Sequence, residues 1–188
     1  LGRLEDGERE EVFAAFGPEK SMQLYERGLR RRLAPMLGGD ERRLAMAFSV
    51  MLALPGTPVI WYGDEIGMGE DLSLPERHPV RTPMQWRAEP NGGFSTADAS
   101  ECVRPAVSEG PFGYRHVNAE RQHLDGASLL NHVRALVRAR RDAVEIGWSE
   151  PEAVDVGDEA VLALRARWRG GDVLTVHNLA DRPALATL

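Results

Sequence analysis

The sequence predicts an α/β fold followed by an antiparallel piece, on three observations. A helical apolar pattern at 40–54 runs through Pro55-Gly56 into a short, continuously apolar stretch at 57–61. Periodicity then disappears from Gly63 to Gly126 and returns as a helix at 127–142. After Trp148 the period becomes two. Helix then strand, joined by a tight turn, is the tail of an α/β unit. A strand apolar on both faces is the kind found in parallel sheets.

Each element has a local reason. Residues 4–16 read as a helix, with Asp6 as its cap, Glu8, Glu10 and Glu11 near its N-terminus, and Gly17-Pro18 as its stop. Residues 21–33 read as a second, weaker helix, with apolar residues at mixed spacing and Pro35 as terminator. Asp40 caps the helix at 40–54, whose face is Leu44, Ala45, Phe48, Met51 and Leu52. In the helix at 127–142, Ser128 caps and Leu129, Leu130, Val133, Leu136 and Val137 form the face. Its Arg134, Arg138, Arg140 and Arg141 read as solvated. Alternation at 161–168, a Gly170-Gly171 turn and a return at 173–176 predict a β-hairpin. The domain boundary falls between residues 144 and 150.

Composition narrows the function classes. A chain of 188 residues with 43% hydrophobic content holds about one domain and a core. The net charge of −6 argues against nucleic acid or an anionic membrane as partner. No apolar run approaches the length of a membrane span. Cys102 is alone, which suits a reducing, cytoplasmic setting and excludes an intrachain disulfide. His78, His116, His123, His132 and His177 lack metal-ligand spacing and read as surface or loop residues. The opening Leu1-Gly2-Arg3-Leu4, without Met, leads us to expect a piece of a longer polypeptide.

The stretch 56–86 carries the chemistry. The strand signal breaks at Gly63 and delivers Asp64 and Glu65, and a compact block, Arg81-Thr82-Pro83-Met84-Gln85-Trp86, follows. Carboxylates just past a buried strand are where barrel enzymes place functional groups. A polar loop holding Arg and Trp suits a sugar. Long structureless stretches inside a domain are usually functional.

The run from Gly56 to Glu65 (GTPVIWYGDE) resembles the last barrel strand of the α-amylase superfamily of retaining glycosidases and transglycosidases. Leu74-Pro75-Glu76-Arg77 and VRTPMQW at 80–86 resemble the loop that follows it in the α-glucosidase and trehalose synthase branches. Gly17-Pro18-Glu19, RRRLAPML at 30–37, residues 64–76, residues 91–95 and VLTVHNLADRP at 173–183 are most similar to the trehalose synthase branch. The resemblance implies the C-terminal part of a (β/α)8 TIM barrel over 1–146 and the start of an antiparallel β-sandwich domain over 147–188. On that map 57–62 is the eighth strand, 40–54 the seventh helix and 127–142 the eighth.

A retaining glycosidase needs two carboxyl groups roughly 5–5.5 Å apart, one a nucleophile and one an acid of raised pKa. The resemblance puts these, and a third carboxylate, upstream of Leu1, so no catalytic residue is expected within the chain. It implies that Arg81 contacts the sugar, with Arg77 and Glu76 as weaker substrate-binding candidates. Asp64, Glu65, Tyr62 and Trp86 are expected to support the barrel mouth, and Trp86 and Phe94 could alternatively stack on a pyranose. The implied reaction interconverts maltose and trehalose by retaining glucosyl transfer, with these 188 residues inactive alone. Hydrolysis of α-glucosides, or a sugar-binding or assembly module without catalysis, are the alternatives. No cofactor is implied within the chain; calcium, where the family uses it, sits elsewhere in the parent protein. The expected partner is a small disaccharide, with neither nucleic acid nor membrane involved, and a homo-oligomer is compatible with the sequence.

Overall fold

The computed structural model describes residues 2–25 and 28–187. Leu1, Leu188 and residues 26 and 27 of the predicted 21–33 helix lie outside the described residues. Two compact units emerge. One comprises 1–44 with 61–130, the other 45–60 with 131–188.

The first helix, α1, spans Asp6–Phe16 and is capped by Glu5 rather than Asp6. The Glu5 backbone N–H donates to Glu8 Oε2 at 2.9 Å, half of a capping box. The predicted 21–33 helix does not form. A 3-10 turn, Lys20–Met22, leads into two short antiparallel strands, β1 (Gln23–Leu24) and β2 (Gly28–Leu29). The mixed apolar spacing offers no helical face to bury, and Tyr25 takes a left-handed conformation (φ 52°) that ends β1. Helix α2 is one turn, Leu33–Met36, and contains Pro35 instead of ending before it. Proline is tolerated there because the first turn leaves its N–H positions unpaired.

Helix α3, Glu41–Ala53, follows Asp40, whose carboxylate accepts from the Arg42 and Arg43 backbone N–H groups at 2.9 and 3.2 Å. Leu44, Phe48 and Leu52 are buried, as their spacing requires. The predicted strand at 57–62 is not one: it pairs with no other segment among the described residues. Val59 is 78% exposed. All strand pairing in the described residues is antiparallel, so a parallel strand finds no neighbour there.

Residues 63–118 form the irregular stretch the sequence predicts, threaded by short 3-10 turns. Helix α4 (Ala119–Leu124), which the sequence reading missed, closes it, with the Asn118 side chain accepting from the Arg121 N–H. Ile66, Met68, Met84 and Leu130 make the core beneath this stretch, flanked by Val117 and Ala119.

Helix α5 spans Leu129–Asp142 and α6 Val144–Trp148. Arg140 is half-buried and engaged with backbone rather than simply solvated. Its guanidinium donates to the carbonyls of Leu52, Leu54 and Gly56 at 2.5, 2.8 and 2.6 Å, satisfying the open C-terminal end of α3. A three-stranded sheet follows in the order β3 (Glu152–Val154), β4 (Val161–Trp168), β5 (Gly171–Asn178). The hairpin turns at Arg169-Gly170, one residue earlier than predicted. Both residues have positive φ (50° and 89°), the hand that matches strand twist. His177 is a core residue, 6% exposed, with Nδ1 3.2 Å from Ser49 Oγ; burial holds its pKa below the ordinary value.

Candidate active-site wall

The Arg30-Arg31-Arg32 run organises the loop that carries the candidate residues. Arg32, 2% exposed, donates to the Tyr62 carbonyl at 3.0 Å, to Asp64 Oδ1 at 2.8 Å and to the Val80 carbonyl at 3.2 Å. Its backbone N–H donates to Glu70 Oε2 at 2.9 Å, and Arg31 pairs with the other oxygen of Glu70. Arg30 reaches the carbonyls of Leu72 and Leu74. Arg32 thus holds both ends of 62–80, while Arg31 and Arg30 hold its middle. A planar, always-charged fork can serve several acceptors at once, which an ammonium does less well.

Asp64 and Glu65 open a 3-10 turn, Asp64–Ile66, set by Gly63 in the left-handed region (φ 87°). Asp64 is committed to Arg32. Burial pushes its carboxyl above the ordinary value, and the Arg32 charge offsets only part of that. Glu65 turns the other way, with Oε2 buried and without a hydrogen-bond partner. Tyr62 donates its hydroxyl to the Thr82 carbonyl at 2.9 Å, and Trp61 Nε1 donates to the Val80 carbonyl at 3.1 Å.

The 81–86 block is half core and half surface. Thr82 and Gln85 are fully buried and Met84 nearly so. Gln85 Nε2 donates to the carbonyls of Phe112 and Val117 at 3.1 and 2.5 Å. The Trp86 backbone is held on both sides, its N–H by Gly92 O at 2.8 Å and its carbonyl by Glu120 N at 2.9 Å. This buried centre turns Arg81 and Trp86 outward.

Two clefts meet at Arg81. One, of about 600 Å³, is lined by Tyr62, Glu65, Arg81, Trp86, Phe94 and Arg104 among others. The second, of about 350 Å³, brings Arg81 and Arg77 beside Arg30, Arg32, Trp61 and Asp64. Glu76 lines neither; it is exposed on the loop at φ 46°. The guanidiniums of Arg77 and Arg81 have no hydrogen-bond or ion-pair partner among the described residues. Their donors are available to a ligand.

In the sequence the Arg30–Arg32 run stands out only as a point of family resemblance, with no role attached. The signal is the acidic run Asp64, Glu65, Glu70, Asp71 and Glu76, with no Lys or Arg between residues 64 and 76. No group of three or more His, Cys, Asp or Glu side chains among the described residues is arranged to hold a metal ion.

Residues 29–147 match the model of the alpha-amylase catalytic domain. The chain is 39% identical over 181 residues to a trehalose synthase of Thermus thermophilus, covering 96% of this chain and 19% of that protein. It is 37% identical over 186 residues to a trehalose synthase/amylase of Mycobacterium tuberculosis, covering 97% of this chain and 31% of the relative. The chain therefore spans about a fifth to a third of the length of these relatives. Among solved structures, the alpha-amylase from H. orenii superposes with a TM-score of 0.66 at 28% identity, over 82% of this chain and 29% of that one.

Proposed function

We propose that this chain, which belongs to the alpha-amylase catalytic-domain family, is one wall of the glucoside pocket of an enzyme interconverting maltose and trehalose by retaining glucosyl transfer. The observation that carries the reading is the 81–86 block: its buried Thr82, Met84 and Gln85 aim Arg81, with free donors, into two clefts that meet there. A fixed guanidinium can donate paired hydrogen bonds to sugar hydroxyls. The aromatic side chains of Trp86 and Phe94 in the larger cleft offer faces for a pyranose.

The reacting carboxyl groups belong elsewhere in the longer protein under this reading. Asp64 is tied to Arg32 and adjoins Glu65 in sequence on one tight turn. Such a pair does not flank a glycosidic bond as nucleophile and acid. Asp64, Glu65, Tyr62 and Trp86 support the rim; Arg81 and Arg77 are the substrate-side residues, and Glu76, outside both clefts, is not among them.

On the same reading, 1–146 is the C-terminal portion of a (β/α)8 barrel, with α3 and α5 as its seventh and eighth helices and 57–62 as its eighth strand. Residues 147–188 begin a β-sandwich, whose further strands would add to the sheet of β3, β4 and β5. Cytoplasmic residence, a homo-oligomer and a disaccharide ligand are parts of this proposal. No helix among the described residues is long and apolar enough to cross a membrane.

A hydrolytic second reading is favoured by relatives whose names join synthase to amylase. Product analysis of the protein as its gene encodes it, supplied with maltose, separates the two. Trehalose as the main product supports the synthase. Mostly glucose supports the hydrolase, and no turnover supports a non-catalytic sugar-binding or assembly module. The 188 residues alone are expected to turn nothing over. Arg81→Ala in the whole protein should lower kcat/KM about ten- to a hundredfold, the loss of one charged hydrogen-bonding group of about 1.5–3 kcal/mol. Unchanged kcat/KM would remove Arg81 from the site.

A further inference from the structure

A second aromatic site lies in the 45–60 and 131–188 unit, on residues the proposed reaction does not use. Trp148 ends α6 and Trp168 ends β4. Their rings stack with centroids 6.0 Å apart and planes 19° from parallel. The Arg169 guanidinium lies over the Trp168 ring, 5.6 Å from its centroid. Trp148 is 69% exposed, so the indole at the end of this column meets solvent. Glu145, Arg169, Gly171 and Val144 complete a cleft of about 440 Å³ around the two rings. That volume falls within the roughly 300–1,000 Å³ usual for small-ligand clefts.

The arrangement around the rings is specific. Arg169 occupies the turn at φ 50°, a conformation Gly or Asn adopts more cheaply. A Cβ on Gly171 would overlap the Glu145 carboxylate, so the absent side chain leaves room for that group against the turn. The cleft thus combines an open aromatic face, one carboxylate acceptor and one guanidinium donor.

We infer that this cleft is a carbohydrate subsite that takes a pyranose ring of a neutral glucan chain, the α-linked kind being chosen on the strength of the reaction proposed above. A pyranose presents an apolar C–H face with hydroxyls around its edge. Its face suits the Trp148 indole, and its hydroxyls can donate to Glu145 and accept from Arg169. An anionic ligand would face Glu145 and a cationic one Arg169. An apolar peptide would desolvate both charges without pairing them, which is costly.

Native electrophoresis of the protein as its gene encodes it, through gels with and without soluble glycogen, tests the subsite. The wild type should be retarded by glycogen. Trp148→Ala should weaken binding about tenfold or more, the scale of a lost aromatic contact with its buried area. Trp148→Tyr should keep most of the retardation, because it keeps a ring face. Gly171→Ala should weaken binding several-fold by displacing the flexible Glu145 side chain, and it decides the matter where Trp148→Ala melts early. Arg81→Ala should migrate like the wild type, whether or not the protein turns over maltose. Wild-type mobility indifferent to glycogen, or full retardation of Gly171→Ala together with Trp148→Ala, overturns the subsite. Retardation lost in Arg81→Ala and kept in Trp148→Ala does so as well, by moving the binding to the Arg81 clefts.

Discussion

Arg32 shows how one buried side chain can position a whole loop. It is buried, serves two carbonyls and one carboxylate, and is bridged to Glu70 through its own backbone. Replacing it with Met would leave the half-buried Asp64 without its cation. Removing one partner of a buried pair typically costs about 3–5 kcal/mol. Arg32→Met should therefore lower the urea midpoint strongly, and Asp64→Asn in that background should recover part of the loss. A midpoint within experimental error of the wild type would refute the anchor. Asp172 gives a prediction of opposite exposure. The Arg165 side chain, with help from Arg167, holds its carboxyl down at about 2. A carboxyl whose folded pKa is depressed contributes stability above its unfolded value, near 3.8, that is lost as pH falls toward about 2. Carboxyl-carbon NMR should find the Asp172 midpoint near 2, and Arg165→Ala should move it up toward the ordinary value. A wild-type midpoint near 3.8 would show that the pair does not form.

At the scale of elements, turns decide more than helices do. Gly63 sits at φ 87°, and a Cβ there would overlap the Met68 side chain, which is fully buried in the core. Gly63→Ala would combine left-handed strain, about 1–2 kcal/mol, with overpacking, about 1–3 kcal/mol. It should destabilise the 61–130 region by several kcal/mol, read by chemical denaturation with a probe at Trp86. A loss under about 1 kcal/mol would mean the turn tolerates a side chain. Helices α3 and α5 and the β4–β5 hairpin were legible because periodicity and a capping Asp or a polar turn declared them. The 21–33 helix failed because its apolar residues share no face, and a paired β1–β2 satisfied those backbone groups instead.

For the whole molecule, the informative segment is 57–61. It has the composition of a buried parallel strand, yet it lies unpaired and largely exposed. Amide exchange at Val59, Ile60 and Trp61 should be fast in the isolated 188 residues and, on the barrel reading proposed above, slow in the protein as its gene encodes it. Slow exchange in the isolated chain would show that it finds pairing partners of its own.

From the sequence alone followed the mixture of helices and sheet, the capped helix after Asp40, the long irregular loop, the period-two hairpin and the choice of Arg81, Asp64 and Glu65 for attention. These are local properties, set by spacing, caps and residue type within a few turns of chain. What only the tertiary structure decided were contacts between residues far apart in sequence: Arg32 with Asp64, Arg140 on the carbonyls ending α3, His177 against Ser49, and the Trp148–Trp168 stack. Such partners depend on how loops return in space, so no local pattern announces them. The same reason explains why the 57–61 stretch has a strand's composition without a strand's pairing among the described residues, since a strand is defined by its neighbours.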